Sequence, residues 1–137
     1  MPHSTNYYNT FIEIAEDSTA TQGEMPPIKG EKRTVANLQF DMLYEHPYRY
    51  TSDEVLFGVY AQRKGFTPNE MDEERERYFS KGQPCFRASP LTKSYGWGIH
   101  SNQAGKIALY GVETDEYQRL LTDPSVKKVK AMRSRRK

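Results

Sequence analysis

Two strand-like segments separated by a short turn place the strongest constraint on what this chain can fold into. Residues 95–101 and 106–112 are rich in the aromatic and aliphatic side chains that favour strands. The residues between them, 102–105, are Asn-Gln-Ala-Gly, which favour a turn. The second half of the chain is therefore predicted to form a β-hairpin, whose strands are antiparallel.

A further strand is predicted near the N-terminus, where the side chains of residues 8–14 alternate at the period of two expected of a strand with one better-buried face. The polar residues 16–33 follow, with two glycines, two prolines and neither helical nor strand periodicity. Connections this long within a domain are usually functional or disordered. We leave open whether this loop is a lid or a passive connection.

Capping residues mark two helices in the middle of the chain. Thr34 is placed to cap a short amphipathic helix, and Pro47 bars its extension beyond residue 46. Thr51 and Glu54 have the spacing of a capping box, and Gly65 is a typical stop signal for the helix that they begin.

Two more helices are predicted by the same signals. Thr67 and Glu70 form a second capping box with proline between them, and this helix is expected to close near Gly82. Its charged middle favours a solvated face, and we expect it to lie over the sheet on its apolar residues, which are Met71, Tyr78 and Phe79. Thr114 begins the last predicted helix, which Asp123 and Pro124 end.

These elements predict an α+β fold: a mainly antiparallel sheet with a C-terminal-half hairpin, covered on one face by about four helices. The 137 residues suffice for one domain with its own core. Residues 126–132 have apolar side chains at helical spacing, but lysines in the first turn oppose the helix dipole. Their conformation is left open.

Composition excludes several classes of protein. The single cysteine, Cys85, cannot form an internal disulfide, and no basic segment followed by an apolar run opens the chain, so we expect a cytoplasmic protein. Apolar runs of only a few residues predict no membrane contact. His3, His46, Cys85 and His100 lack the paired spacing of zinc ligands, and we expect neither a metal nor a cofactor.

The chemically richest segment, residues 82–100, contains the only cysteine and the only tryptophan with one histidine and two cations. In a strand, Trp97 shares one face with Tyr95 and Ile99, and the opposite face carries two glycines and His100. This second face would be a bare groove ending in an imidazole. Close packing or a bulge is the favoured explanation, and a ligand lying against the backbone is the alternative.

Arg87 and Lys93 are candidates for binding an anion, because guanidinium and ammonium groups bind carboxylates and phosphates. Alternatively, Arg87 pairs with Glu113 or Glu116 and Lys93 is simply exposed. Trp97 is expected to lie in the hydrophobic core rather than to line a pocket.

Cys85 and His100 suggest a second kind of chemistry, a thiolate with a neighbouring base. A buried inert thiol and a structural histidine are the favoured explanations of these two residues. The chain has no phosphate-cradling loop, nucleophile elbow or paired acids with catalytic spacing.

The basic C-terminal segment, residues 126–137, has seven cations and no acid in a chain of net charge +2. Such a segment can bind nucleic acid or an acidic surface, although a solvated, frayed end is the more common case.

The whole chain resembles a family of small, mainly microbial proteins of unknown function. The strings that carry the resemblance are YYNTFI at 7–12, KGQPC at 81–85, RASPL at 87–91, YGWGIH at 95–100 and AMRS at 131–134. The resemblance implies a single-domain protein and no activity, cofactor or catalytic residue.

Three functions therefore remain as hypotheses. The first is a small binding protein whose pocket for an anionic small molecule is formed near residues 82–100, with Cys85, Arg87, Lys93, Trp97 and His100 as the candidate binding residues. The second is an interaction module that contacts nucleic acid or an acidic partner through the basic C-terminal segment. The third is a small hydrolase or transferase that uses Cys85 with His100.

Overall fold

A four-stranded sheet organises residues 3–134, the part of the chain that the computed structural model describes. Its strands are β1 (Thr10–Glu13), β2 (Trp97–Ser101), β3 (Ile107–Gly111) and β4 (Lys127–Lys130). The order across the sheet is β3-β2-β1-β4; β1, β2 and β3 pair antiparallel, and β4 runs parallel to β1. The predicted hairpin and the α+β fold with a mostly antiparallel sheet are confirmed.

Residues 127–130 of the basic C-terminal segment form an edge strand, a conformation that the sequence left open. The amide of Lys127 donates to the carbonyl of Asn9 at 2.8 Å, and that of Ala131 donates to the carbonyl of Glu13 at 2.9 Å. Pairing with β1 gives the backbone groups of β4 their hydrogen-bond partners. In a helix, the lysines of the first turn would instead lie at the positive end of the helix dipole. The expectation of a frayed end is wrong for residues 127–134, and residues 135–137 lie outside the described residues.

Five helices lie within the described residues. They are α1 (Val35–Tyr44), α2 (Ser52–Lys64), α3 (Met71–Tyr78), α4 (Pro90–Lys93) and α5 (Asp115–Thr122). The hydroxyls of Thr34, Thr51 and Thr114 accept hydrogen bonds from the third amide of α1, α2 and α5 respectively, as the capping patterns predicted. Gly65 ends α2 at a φ of +74°, the left-handed conformation in which glycine carries no penalty.

The third helix differs from its prediction. The Thr67 capping box begins a 3-10 turn, Pro68–Glu70, and α3 then ends at Tyr78 rather than near Gly82. Phe79 turns inward and is 3% exposed, against Phe57 and Ala61 of α2. The apolar side of α3 therefore packs on α2 instead of lying over the sheet.

Alternating side chains of the strands build two cores. Ile12 and Ile99 face the larger core beneath α1, α2 and α4. Phe11 faces the opposite side, where it packs with Tyr117 of α5 and with Val126. Helices thus cover both faces of the sheet, and α5 is on the side that the sequence did not predict to be covered.

The long connection, residues 16–33, is fastened to the sheet and to α1. The amide of Glu24 donates to the carbonyl of Tyr95 at 2.9 Å, and the Trp97 indole donates to the carbonyl of Glu24 at 2.9 Å. The Asn37 side chain donates to the carbonyl of Pro26 at 2.9 Å. Three hydrogen bonds of this kind, of which the one from Asn37 is buried, are typical of a structural strap rather than a loose lid.

Candidate functional site

A cavity of about 500 Å³ opens between α1, α2 and residues 84–90, on the side of the sheet that carries the larger core. Its size lies within the range of small-molecule sites, about 300–1,000 Å³. Residues 84–90, which contain the 3-10 turn Phe86–Ala88, form the side of the cavity that faces α1 and α2.

The floor of the cavity is polar and buried. Gln39 and Ser89 line it with exposures of 3% and 4%. The Ser89 hydroxyl donates to Oε1 of Gln39 at 2.6 Å and accepts from the Leu91 amide at 3.1 Å, which caps α4. Nε2 of Gln39 donates no hydrogen bond to any group within residues 3–134. One amide donor is therefore available to a guest.

The walls are mainly apolar. They consist of Val35, Leu56, Val59, Pro84, Ala88 and Pro90. Such walls exclude water from the body of a ligand and favour hydrocarbon or aromatic groups.

Two phenols lie side by side at one end of the cavity. The rings of Tyr60 and Tyr78 have centroids 4.8 Å apart, and both line the cavity. Burial raises the pKa of Tyr78, and the neighbouring Tyr60 and Asp53 raise it further, so its hydroxyl stays protonated at neutral pH. Neither hydroxyl has a hydrogen-bond partner within the described part of the chain.

The rim is positively charged. Arg63 and Lys64, from the last turn of α2, are exposed and line the opening. The lining contains no Asp or Glu, and neither cation has a carboxylate partner among residues 3–134. Lys64 Nζ lies 5.8 Å from the centroid of the Tyr60 ring. The opening therefore favours anions.

Cys85 is the only one of the five predicted site residues that lines this cavity. Its Sγ lies 3.5 Å from the Tyr7 hydroxyl, and its thiol is free. Burial raises the pKa of Tyr7, the contact with Cys85 raises it further, and the guanidinium of Arg87 opposes both.

His100 lies on the other side of the sheet, beside Phe11 in the strand register. Its Nδ1 bonds the Tyr48 hydroxyl at 2.8 Å, and that hydroxyl bonds the hydroxyl of Tyr110 at 2.7 Å. Burial lowers the pKa of His100, against a smaller opposing effect of the Asp123 carboxylate. The structure does not bring Cys85 and His100 together.

The glycine face predicted beside His100 is filled by neighbouring groups, so it is not a bare groove. A Cβ at Gly98 would lie 2.5 Å from Cζ of Phe11 and 2.7 Å from Cε2 of Tyr117. At Gly96, where φ is +79°, a Cβ would lie 2.2 Å from the carbonyl oxygen of Gln22. Close packing, the favoured explanation of these glycines, is what the structure shows.

The other predicted site residues are dispersed. Trp97 is 8% exposed in the larger core, as expected. Arg87 Nε donates to the carbonyl of Lys130 at 2.7 Å, so it fastens the end of β4 instead of pairing with Glu113, which accepts from the Gly23 amide at 2.9 Å. Lys93 lines a separate hollow of about 280 Å³.

The basic C-terminal segment is partly neutralised within the fold. Lys130 Nζ and Arg133 Nη2 lie 3.1 and 2.5 Å from the carboxylate oxygens of Glu16, whose pKa these two cations lower. Contact with nucleic acid through this segment stays a prediction.

Sequence reasoning missed Gln39, Tyr60, Arg63, Lys64 and Tyr78. Cations in the last turn of a helix are common because they complement the helix dipole, so Arg63 and Lys64 carry no distinctive signal. Only the three-dimensional packing shows that these residues border one space.

Two further findings concern other classes of site. Within residues 3–134, no group of three His, Cys, Asp or Glu side chains has an arrangement that could hold a metal ion. In the same range, every helix is too short or too polar to cross a bilayer.

A family model described as a family of unknown function, DUF6157, matches residues 2–137, and the chain belongs to that family. The resemblance drawn from the sequence is thereby confirmed. No curated protein and no solved structure matches the chain.

Proposed function

We propose that this member of a family of unknown function binds a small molecule with an apolar body and an anionic group, in the cavity between α1, α2 and residues 84–90. The observation that carries the proposal is the pairing of a carboxylate-free lining with two cations, Arg63 and Lys64, that have no carboxylate partner in the described residues. This retains the anionic ligand expected near residues 82–100 but changes the residues that would bind it.

The order of groups from rim to floor orients the ligand. The charged group remains at the exposed rim with Arg63 and Lys64, where its desolvation cost is lowest. The apolar body lies between the walls, and an acceptor such as a carbonyl can reach Nε2 of Gln39 at the floor. An amphipathic carboxylate has this distribution of groups.

The experiment is a calorimetric titration of the full chain with octanoate and with phenylacetate, each compared with its uncharged amide. Both carboxylates are expected to bind more tightly than their amides, and to raise the unfolding temperature because a ligand of the native state stabilises it. Equal affinity for acid and amide, or no binding of any of the four compounds, would contradict the proposal.

A matched pair of variants locates the site. Arg63→Ala with Lys64→Ala should weaken carboxylate binding about tenfold, since exposed ion pairs contribute up to about 1 kcal/mol each. Arg119→Ala removes an exposed cation that also lies in the last turn of its helix, α5, and should leave the affinity unchanged. A loss in Arg119→Ala equal to that of the double variant would show an effect of net charge alone.

A further inference from the structure

The thiol of Cys85 lines the cavity, but the proposed ligand binding gives this thiol no role. It is a free thiol in the cavity lining, half-buried, and it is the only cysteine of the chain. Its Sγ lies 3.5 Å from the hydroxyl of Tyr7. A cysteine alone does not make a site, so the rest of the lining decides what could react here.

An independent observation in the same cavity indicates a ligand with hydrogen-bond acceptors. The Gln39 side chain is 3% exposed, and its Nε2 has no acceptor within residues 3–134 although it borders the cavity. Nε2 is not sealed off from the cavity, so its hydrogen-bond partner has to come from there. Amide or carboxyl oxygens of a bound molecule would supply that partner.

We propose that Cys85 is a modification site that forms a mixed disulfide with anionic, amide-containing low-molecular-weight disulfides, whose carboxylates bind Arg63 and Lys64. This proposal rests on the proposed function, because the same cations select the charge of the molecule that reaches the thiol.

The reaction is thiol–disulfide exchange. The thiolate of Cys85, having lost its proton to solvent, attacks one sulfur of the disulfide; a new sulfur–sulfur bond forms as the old one breaks. The second half of the disulfide leaves as a thiolate and takes up a proton. Cys85 is oxidised and the leaving half is reduced, so the incoming disulfide is the oxidant.

Two features favour this step and the persistence of its product. The raised pKa of Tyr7 keeps its hydroxyl protonated, so the hydroxyl can donate to a thiolate at Sγ. The chain has no second cysteine to displace the adduct, and only an external thiol can reverse it.

The test incubates the reduced full chain with glutathione disulfide and, separately, with the uncharged bis(2-hydroxyethyl) disulfide, and follows adducts by intact mass. One glutathionyl group is expected on the wild-type chain and none on Cys85→Ser. The double variant Arg63→Ala with Lys64→Ala should react about tenfold more slowly with glutathione disulfide, because the local field raises the encounter rate of an anion. Its rate with the uncharged disulfide should fall much less than tenfold, and both rates of Arg119→Ala should match the wild type.

Two results would overturn the proposal. One is a wild-type chain that forms no adduct when native but forms it in urea, and the other is a double variant that reacts with both disulfides at wild-type rates. Titration of Cys85→Ser with octanoate separates this proposal from the proposed function. If Cys85→Ser binds octanoate while the native wild-type thiol is inert, the modification site is wrong and the binding site stands.

Discussion

Residues 84–90 and 96–100 are close neighbours in the chain, yet the first segment borders open space and the second is packed shut. In the first segment, Cys85, Ala88 and Ser89 line a cavity of about 500 Å³. In the second, Gly98 is covered by Phe11 and Tyr117, whose ring centroids lie 4.8 Å apart at an angle of 79°. Small side chains therefore do not make a pocket when an aromatic pair lies above them.

The difference arises from what each segment packs against. A strand presents a regular face, and α5 brings an aromatic ring into the depression that glycine leaves. The irregular segment before α4 bonds α1 through Ser89 and Gln39 and buries Phe86 in the larger core, but Cys85 and Ala88 border the cavity. The irregular backbone of residues 84–90 does not pack closely along the two helices, and this leaves space for a ligand.

The largest expected effect is at the closed segment. Gly98→Ala should lower the free energy of unfolding by about 3 kcal/mol, because the added methyl overlaps the rings of Phe11 and Tyr117. Urea unfolding followed by circular dichroism measures it. Ala88→Val, whose added methyls can enter the cavity, should change the same quantity by about 0.5 kcal/mol or less. A larger loss in Ala88→Val would show that the cavity side is as tightly packed as the strand.

An intermediate effect is expected at the floor of the cavity. Ser89→Ala removes both the cap of α4 and the donor to Oε1 of Gln39, which should cost about 1–2 kcal/mol. Ser80→Ala is the matched control, because the Ser80 hydroxyl donates to the carbonyl of Arg77 at an exposed position where water can replace it. If thermal unfolding shows equal losses in the two variants, the polar floor does not stabilise the fold.

The smallest effect is a pH dependence at the closed side. Burial lowers the pKa of His100, so the unfolded chain binds the proton more readily than the folded one. The neutral imidazole therefore stabilises the fold above the unfolded pKa of about 6.5, and this contribution is lost as the pH falls through the lower folded value.

The measurement is the unfolding midpoint between about pH 7.5 and 5.5, a window that spans the unfolded value. The midpoint should fall less steeply in His100→Gln than in the wild type. If the unfolding midpoints of His100→Gln and the wild type change with pH in parallel, protonation of His100 is not coupled to folding.

Helices α1, α2 and α5 and the hairpin could be predicted because their signals are local. Thr34, Thr51 and Thr114 each act within one turn of their own helix, and residues 102–105 determine the hairpin by themselves. The strand at Lys127–Lys130 could not be predicted, because its apolar spacing fits a helix and its partner is at the other end of the chain.

The candidate site was less accessible to sequence reasoning for a related reason. Residues 82–100 were predicted as a site from the types of side chain that they contain, and of these Cys85 lines the cavity. It also selected His100 and Trp97, which the fold uses for hydrogen bonding and packing. Arg63 and Gln39 became candidates only when α1 and α2 were seen to border the same space as Cys85.

The parallel pairing of β1 with β4 has a consequence for the order of events during synthesis. Strand β1 emerges from the ribosome before both of its neighbours, β2 and β4, which come from residues 97–101 and 127–130. Contacts between distant parts of a chain form slowly, since the intervening loop must close first. Strand β1 is therefore synthesised well before β4, and a nascent chain stalled before residue 127 would have one edge of β1 unpaired.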